Sequence, residues 1–288
     1  MKAVFRHELA SAFTSLTAYV FGGFVLLFTG IYVMVYNLKG GYANFEYVLG
    51  SMSFVFLIIV PILTMRVLAE ERHQKTDQLL YSLPLTMTQV VLGKFLALAV
   101  VFLAPVAVMG VYPLILSAYG SVNLAACYSA LAGFYCLGCA LIAVGVYISS
   151  VTESQAVAAG LCFVAMLLNY FVGDLSGYVS TEAYASMAAM AVVLLAVSLV
   201  VGYMTKNSLG ATILAAILEG GLLVTYLTDS FRFEGLFANL IGKLSLFERF
   251  YDLVNGIFDL GTIVYYLSVM AVFLFLTVQA MEKRRWSE

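Results

Sequence analysis

Between Met65 and Lys94 the chain gathers side chains able to make directed ionic contacts: Met65-Arg66, then Glu70-Glu71-Arg72-His73-Gln74-Lys75-Thr76-Asp77-Gln78-Leu79-Leu80, then Pro84 and Gly93-Lys94. All of it lies between two long apolar runs. The chemistry on offer is recognition rather than bond-making. Thr76 suits a helix N-cap, and Asp77 in the first turn meets the positive end of the helix dipole. Leu79, Leu80 and Leu83 give that helix an apolar side, and Pro84 stops it. The spacing predicts a short cytoplasmic helix within residues 66–90, joined directly to two membrane spans, with charges turned toward a soluble partner. The plain alternative is a solvated charged loop.

Other chemistry is missing or poorly set. The phosphate-binding pattern Gly-x-x-x-x-Gly-Lys-Ser/Thr occurs nowhere, since Gly93-Lys94 lacks the earlier glycine and the following hydroxyl. The chain is not expected to split ATP, and no catalytic residue, cofactor or metal is assigned to it. Cys136-Leu137-Gly138-Cys139 has redox spacing but sits inside an apolar run, with no basic neighbour to stabilise a thiolate, so packing is its expected role. The two histidines, His7 and His73, make a poor metal site. Glu219 is the one acid placed deep in an apolar run, where insertion costs roughly 2.5–3.5 kcal/mol. It reads either as an intramembrane polar site or as a neutral acid hydrogen-bonded within a bundle.

Composition dictates what must position these residues. Charged residues make up 10 % of the chain and apolar or aromatic ones 63 %, against roughly 25 % charged in soluble domains. The class is therefore an all-α, polytopic membrane bundle built as a single domain over residues 1–288, with no nucleic-acid partner expected. A span needs about 20 apolar residues. Eight stretches are read as spans: Ser15–Tyr36, Tyr47–Leu68, Val91–Tyr119, Leu124–Ser149, Ala156–Val172, Tyr184–Met204, Gly210–Thr228 and Thr262–Met281. Six spans result if the hairpin around Lys206 is peripheral. With both termini cytoplasmic, ten of the fourteen Lys and Arg face inward, as the positive-inside rule favours; Lys39, Arg232, Lys243 and Arg249 do not.

Three further segments have a role in this reading. Residues 1–14 mix charges with Phe5, Leu9, Phe13 and, just beyond, Leu16 at helical spacing, which predicts an amphipathic helix at the membrane surface rather than a signal peptide. Residues 229–261 carry two amphipathic stripes, Leu236 to Leu244 and Phe247 to Phe258, expected as short extracellular helices that cap the bundle or shape an exit path. Ala18-x-x-x-Gly22 and Ala156-x-x-x-Gly160 permit close helix approach. Pro61, Pro105 and Pro113 are expected to bend their spans.

The charged motif, with Val91-Leu92-Gly93-Lys94-Phe95 behind it, resembles the membrane subunit of a type-2 ABC exporter, nearest the branch of gliding-motility permeases. A second match runs through Leu244-Ser245-Leu246-Phe247, Gly256 to Leu260, Tyr265 to Ser268, Phe273 to Thr277 and Arg284-Arg285-Trp286. The resemblance implies that Glu70, Glu71, Arg72, Thr76, Asp77, Leu79, Leu80 and Pro84 couple the chain to a separate cytoplasmic ATP-binding subunit, which would hold ATP and Mg. It also implies export of a substrate across the cell membrane. A second membrane subunit, identical or similar, is expected against Ala18, Gly22, Ala156 and Gly160. Many relatives place Gly where this chain has Lys75, and many lack the Tyr184–Thr228 hairpin. Outside the family, a secondary transporter or channel without an ATPase partner is the alternative, and only Glu219 points to it.

Overall fold

The computed structural model describes residues 1–75, 85–178, 180–205, 208–257 and 259–285, and every regular element among them is helical. The chain forms two compact units, Met1–Tyr170 with Leu246–Glu288, and Phe171–Ser245.

In the first unit, α1 (Lys2–Thr14) turns into α2 (Leu16–Val33) at Ser15, whose extended backbone breaks the helix. The Ser15 hydroxyl donates to the Ala12 carbonyl and accepts from the Thr17 N–H, so one side chain serves both helix ends. The α2 helix continues into a π-helical stretch, Met34–Lys39. Next come α3 (Glu46–Met52), a 3₁₀ turn at Ser53–Val55 and α4 (Phe56–Thr64), then α5 (Ala69–His73) after a break. Thr86 accepts from the Gln89 N–H to cap α6 (Met87–Met109), which is followed after Gly110 by α7 (Val111–Ser117). Asn123 likewise caps α8 (Leu124–Val151). The helix α9 (Gln155–Ser176) begins in this unit, which α13 (Leu246–Val254) and α14 (Leu260–Arg285) complete.

The core gathers around Phe102 of α6. Its ring meets Phe21 of α2, Phe56 of α4, and Phe134 and Tyr135 of α8, with centroids 5.6 to 6.2 Å away. Such aromatic pairs add about 0.5–1.5 kcal/mol each beyond their burial. This packing demands glycine at 138, because a Cβ there would lie 2.3 Å from Phe102 Cε1. Close approach within the chain is thus a property of α8. The Ala18–Gly22 and Ala156–Gly160 motifs behave otherwise: Ala18 is buried, but added methyl groups at Gly22 and Gly160 would meet nothing within 4 Å.

The second unit contains α10 (Ala183–Thr205), packed on α11 (Ser208–Thr228), then a 3₁₀ turn at Ser230–Phe233 and α12 (Leu236–Leu244). Gly235, at φ +66°, reverses the chain there and donates its N–H to the Thr181 carbonyl.

Six apolar helical stretches among the described residues are long enough to cross a membrane: Leu16–Lys39, Glu46–His73, Met87–Ser117, Leu124–Val151, Gln155–Ser176 and Leu260–Arg284. A seventh counts if Thr212–Thr228 and Ser230–Leu244, which meet at 118°, form one broken span. In the remaining region, Ala183–Ala196 is a shorter apolar helix. Pro61 lies within α4 and Pro105 within α6, while the break at Gly110 precedes Pro113.

Two amphipathic segments sit differently from their sequence stripes. The face of α1 turned inward is Val4, Phe5, Glu8, Leu9 and Ala12, whereas Phe13 is exposed. The stripe is rotated because Glu8 finds an ionic partner. Helix α13 is a buried wedge rather than a surface cap: Leu246, Phe247, Phe250, Leu253 and Val254 are all in the core. Its first residue is held at both backbone groups, the Leu246 N–H by Asn169 and the Leu246 carbonyl by the Tyr266 hydroxyl. Ile257 is exposed, and Phe258 lies outside the described residues.

Candidate functional site

The charged segment begins where α4 runs out. Between Thr64 and Ala69 the backbone leaves the helical path, and Leu68 sits at φ −126°, ψ −31°. The N–H groups of Leu68 and Ala69 would be left without partners, but both donate to Ser149 Oγ, at 3.2 and 3.1 Å. The same hydroxyl donates to the Met65 carbonyl at 3.3 Å. Ser149 is fully buried on the last turn of α8, so a side chain from another helix caps both edges of the break. Four residues earlier on α8, Gly145 admits Thr64, whose Oγ1 would stand 2.3 Å from an added Cβ. The end of α8 thus fixes where α5 starts and which way it leaves.

That direction brings Glu71 to Lys94. The Lys94 ammonium donates to Glu71 Oε1 and to Glu8 Oε1, each at 2.7 Å, and its side chain is 2 % exposed. The two carboxylates are 27 % and 29 % exposed. A lone buried ammonium is strongly unfavourable, and two hydrogen-bonded acids with partial access to water offset that penalty. One cation therefore ties α1, α5 and α6 together. Gly93 lets the helices close, because a Cβ there would touch Val4 Cγ1 at 3.0 Å and the Phe5 nitrogen at 3.3 Å.

Further polar contacts meet at the same end. Arg72 donates to the Thr152 carbonyl at 3.5 Å, Gln74 donates to Glu70 at 3.3 Å, and Arg284 near the end of α14 pairs with Glu153. Lys75 takes φ +56°, the one non-glycine residue with positive φ among those described. That backbone costs an L-residue roughly 1–2 kcal/mol and glycine almost nothing. It is also the position where the resembled permeases often carry glycine.

Of the residues expected to couple, the structure brings Glu70, Glu71 and Arg72 together on α5. Glu71 turns inward to Lys94 and Arg72 reaches the end of α8; Glu70 lines a cavity with Arg66 and Gln74. Thr76, Asp77, Leu79, Leu80 and Pro84 lie outside the described residues. Glu8 falls outside the α1 stripe, and Lys94, though part of the charged motif, has no partner assigned to it by spacing. The signal was present, because Lys94 is a lone charge in a 23-residue helix, the same oddity that marks Glu219.

Elsewhere, Glu219 is the twelfth residue of the 21-residue α11, and its buried Oε1 has no hydrogen-bond partner among the described residues. Cys127, Cys139 and Cys162 are buried and Cys136 is half-buried, all as free thiols. Among the described residues no group of three His, Cys, Asp or Glu is placed to hold a metal. What this arrangement offers is mechanical: a short charged helix fastened to three long ones.

Replacing Lys94 by Met removes the charge at similar length and leaves Glu8 and Glu71 facing each other. We expect Lys94→Met to lose up to about 3 kcal/mol, the low end for breaking a buried pair because the acids keep some water. Glu8→Gln should cost less, since Glu71 still balances the ammonium. The neutral set Glu8→Gln, Glu71→Gln, Lys94→Met should recover most of the loss. Melting in detergent with a thiol-reactive dye reads this through the buried cysteines; wild-type melting of Lys94→Met would show that the triad does not hold the segment.

No curated protein matches the chain. A family model, that of the ABC-2 family transporter protein, matches residues 3–278. With nearly its whole length covered, the chain belongs to the ABC-2 family of membrane transport permeases.

Proposed function

We propose that this chain is the membrane half of an ATP-driven exporter, moved by a separate cytoplasmic ATP-binding subunit that docks on residues 66–90. One observation carries the proposal: α5 is anchored to Ser149 and Thr152 at the end of α8, and to Lys94 and Glu8 on α6 and α1. A push on it cannot be absorbed by a slack loop. It must tilt the long helices together, as packed elements shift in transporters. Glu71 and the Arg72 guanidinium then belong to the lever, and Glu70, Thr76, Asp77, Leu79, Leu80 and Pro84 to the docking face. ATP and Mg belong to the partner.

The second membrane subunit is assigned to the faces of α2 and α9. Gly22 and Gly160 have open space around them within the chain, and Ala156 is exposed. The Gln155–Ser176 helix is 17 % buried over its most apolar stretch, against 72 % for Glu46–His73. We expect Glu70→Ala, Thr76→Ala and Asp77→Ala together to cut co-purification of the ATP-binding subunit more than tenfold, since each charge-assisted contact contributes about 1.5–3 kcal/mol. Glu71 and Arg72 are left in place so that the fold survives. The wild-type complex should weigh as two copies of each subunit by native mass spectrometry. Undiminished co-purification and ATP turnover in the triple variant would end the assignment.

For topology we propose eight spans with both termini in the cytoplasm. Glu8 of α1 and Arg284 of α14 both make ion pairs at the charge-rich end of the first unit, which supports an even number of crossings. Since α9 leaves that end and α14 returns to it, residues between them cross twice or not at all. Helices α10 and α11, of 23 and 21 residues, have the length for two crossings. Cysteines at positions 206 and 232, in a background without the four native ones, should label with an impermeant reagent in intact cells at 232 alone. Labelling at 206 would remove the two extra spans.

Glu219 then lies near mid-membrane, and we assign it a polar contact on the transport path rather than a packing role. Its Oε1, without a hydrogen-bond partner among the described residues, favours this, because a purely structural acid would have both oxygens satisfied. Glu219→Gln should express normally and lose transport; full transport across pH would return Glu219 to packing.

A further inference from the structure

Two cavities of the first unit meet beside the α1–α2 elbow. One, of about 420 Å³, is polar, and Glu8, Arg66, Glu70, Glu71 and Lys94 line it. The other, of about 290 Å³, is an apolar groove between α2 and α4, walled by Leu16, Val20, Phe24, Ile59 and Ile62. They share Thr17, Leu63 and Arg66. The groove walls belong to two membrane-crossing stretches, Leu16–Lys39 and Glu46–His73, and Leu16, Val20 and Ile62 are exposed. Gly22 follows Val20 by two residues, about 200° around the helix, so a subunit packed there leaves the groove open.

Charge along this path has a fixed order. It runs from hydrocarbon, through a cation at Arg66, to an excess of acid. Arg66 is exposed and makes no ion pair among the described residues. Lys94 is already paired with Glu8 and Glu71, so Glu70 adds a further carboxylate beyond Arg66, four residues along. An acyl chain, a phosphate anion and a primary ammonium, joined in that order, complement the three zones in turn. An anionic lipid would add net negative charge to a cavity where three carboxylates already face the two cations Arg66 and Lys94. A choline headgroup has no N–H to donate to them.

We propose that this elbow holds one zwitterionic aminophospholipid, its chain in the groove between α2 and α4, its phosphate on Arg66 and its ammonium against Glu70. The guanidinium fork suits the phosphate oxygens, and the partly dry setting strengthens both contacts. The bound lipid fills the angle between α1, α2 and α5 and thereby steadies the segment that Lys94 holds from the other side. The proposal uses no residue of the expected ATPase docking helix beyond Glu70, and it stands whether or not that partner exists.

The test is native mass spectrometry of the purified, delipidated full chain, titrated with phosphatidylethanolamine, phosphatidylcholine and phosphatidylglycerol of identical acyl chains. One phosphatidylethanolamine should be retained at least tenfold more tightly than either other lipid. Arg66→Ala should lower that retention tenfold or more, and Ile62→Trp, which fills the groove from an exposed position, should do the same. Glu70→Gln should erase the preference over phosphatidylcholine while leaving some binding. Equal or tighter binding of phosphatidylglycerol would overturn the assignment. So would wild-type retention in both Arg66→Ala and Ile62→Trp. Displacement of the lipid by soluble phosphoethanolamine at matched concentration would show a headgroup site without a chain groove, which also refutes it.

Discussion

Between α4 and α5 two N–H groups and one carbonyl leave the helical ladder in a place sealed from water, and the hydroxyl of Ser149 takes all three. In apolar surroundings each unmet backbone group costs several kcal/mol, so a break of this kind exists only where another element supplies partners. Because Ser149 belongs to α8, the start of the charged segment is registered to the most central helix of its unit. The rest follows in sequence. Helix α5 leaves at a set angle, Glu71 reaches Lys94, and the ammonium gathers Glu8 and with it α1.

The consequence is a division of labour within a short run of charges. Glu71 faces inward and serves geometry, Arg72 reaches the carbonyl end of α8, and Glu70 borders a cavity with Arg66. The left-handed backbone at Lys75 fits this picture, because the chain turns there just before residues 76–84.

Helix α8 can act as a reference element because its packing is close and varied. Thr64 fits over Gly145, the Phe102 ring over Gly138, and Leu253 of α13 over Gly133. Removing Cβ atoms lets neighbouring helices approach, and dispersion contacts replace the solvent-driven term that is lost between helices in lipid. Helices α2 and α9 are less covered within the chain and keep more open faces.

The sequence by itself determined the class, most of the helices and the place of the charged segment. Apolar runs of about 20 residues can satisfy their backbone in a bilayer only as helices, and that constraint reads directly from composition. It also marked Glu219 as an acid without a matching cation. Spacing could not say which charges turn inward. Lys94 stood in the charged motif without a partner named for it, and the stripe Phe5, Leu9, Phe13 left out Glu8, which lies 86 residues from Lys94 along the chain. The α13 stripe held Phe247, Phe250 and Val254 of the buried face but missed Leu246 and Leu253 and took in the exposed Ile257, since amphipathicity predicts that a face is covered but not by what. Ser149 carried no signal at all. A serine near a helix end is ordinary, and only the tertiary structure, by bringing the α4–α5 break within hydrogen-bonding distance, made it the residue on which the site is hung.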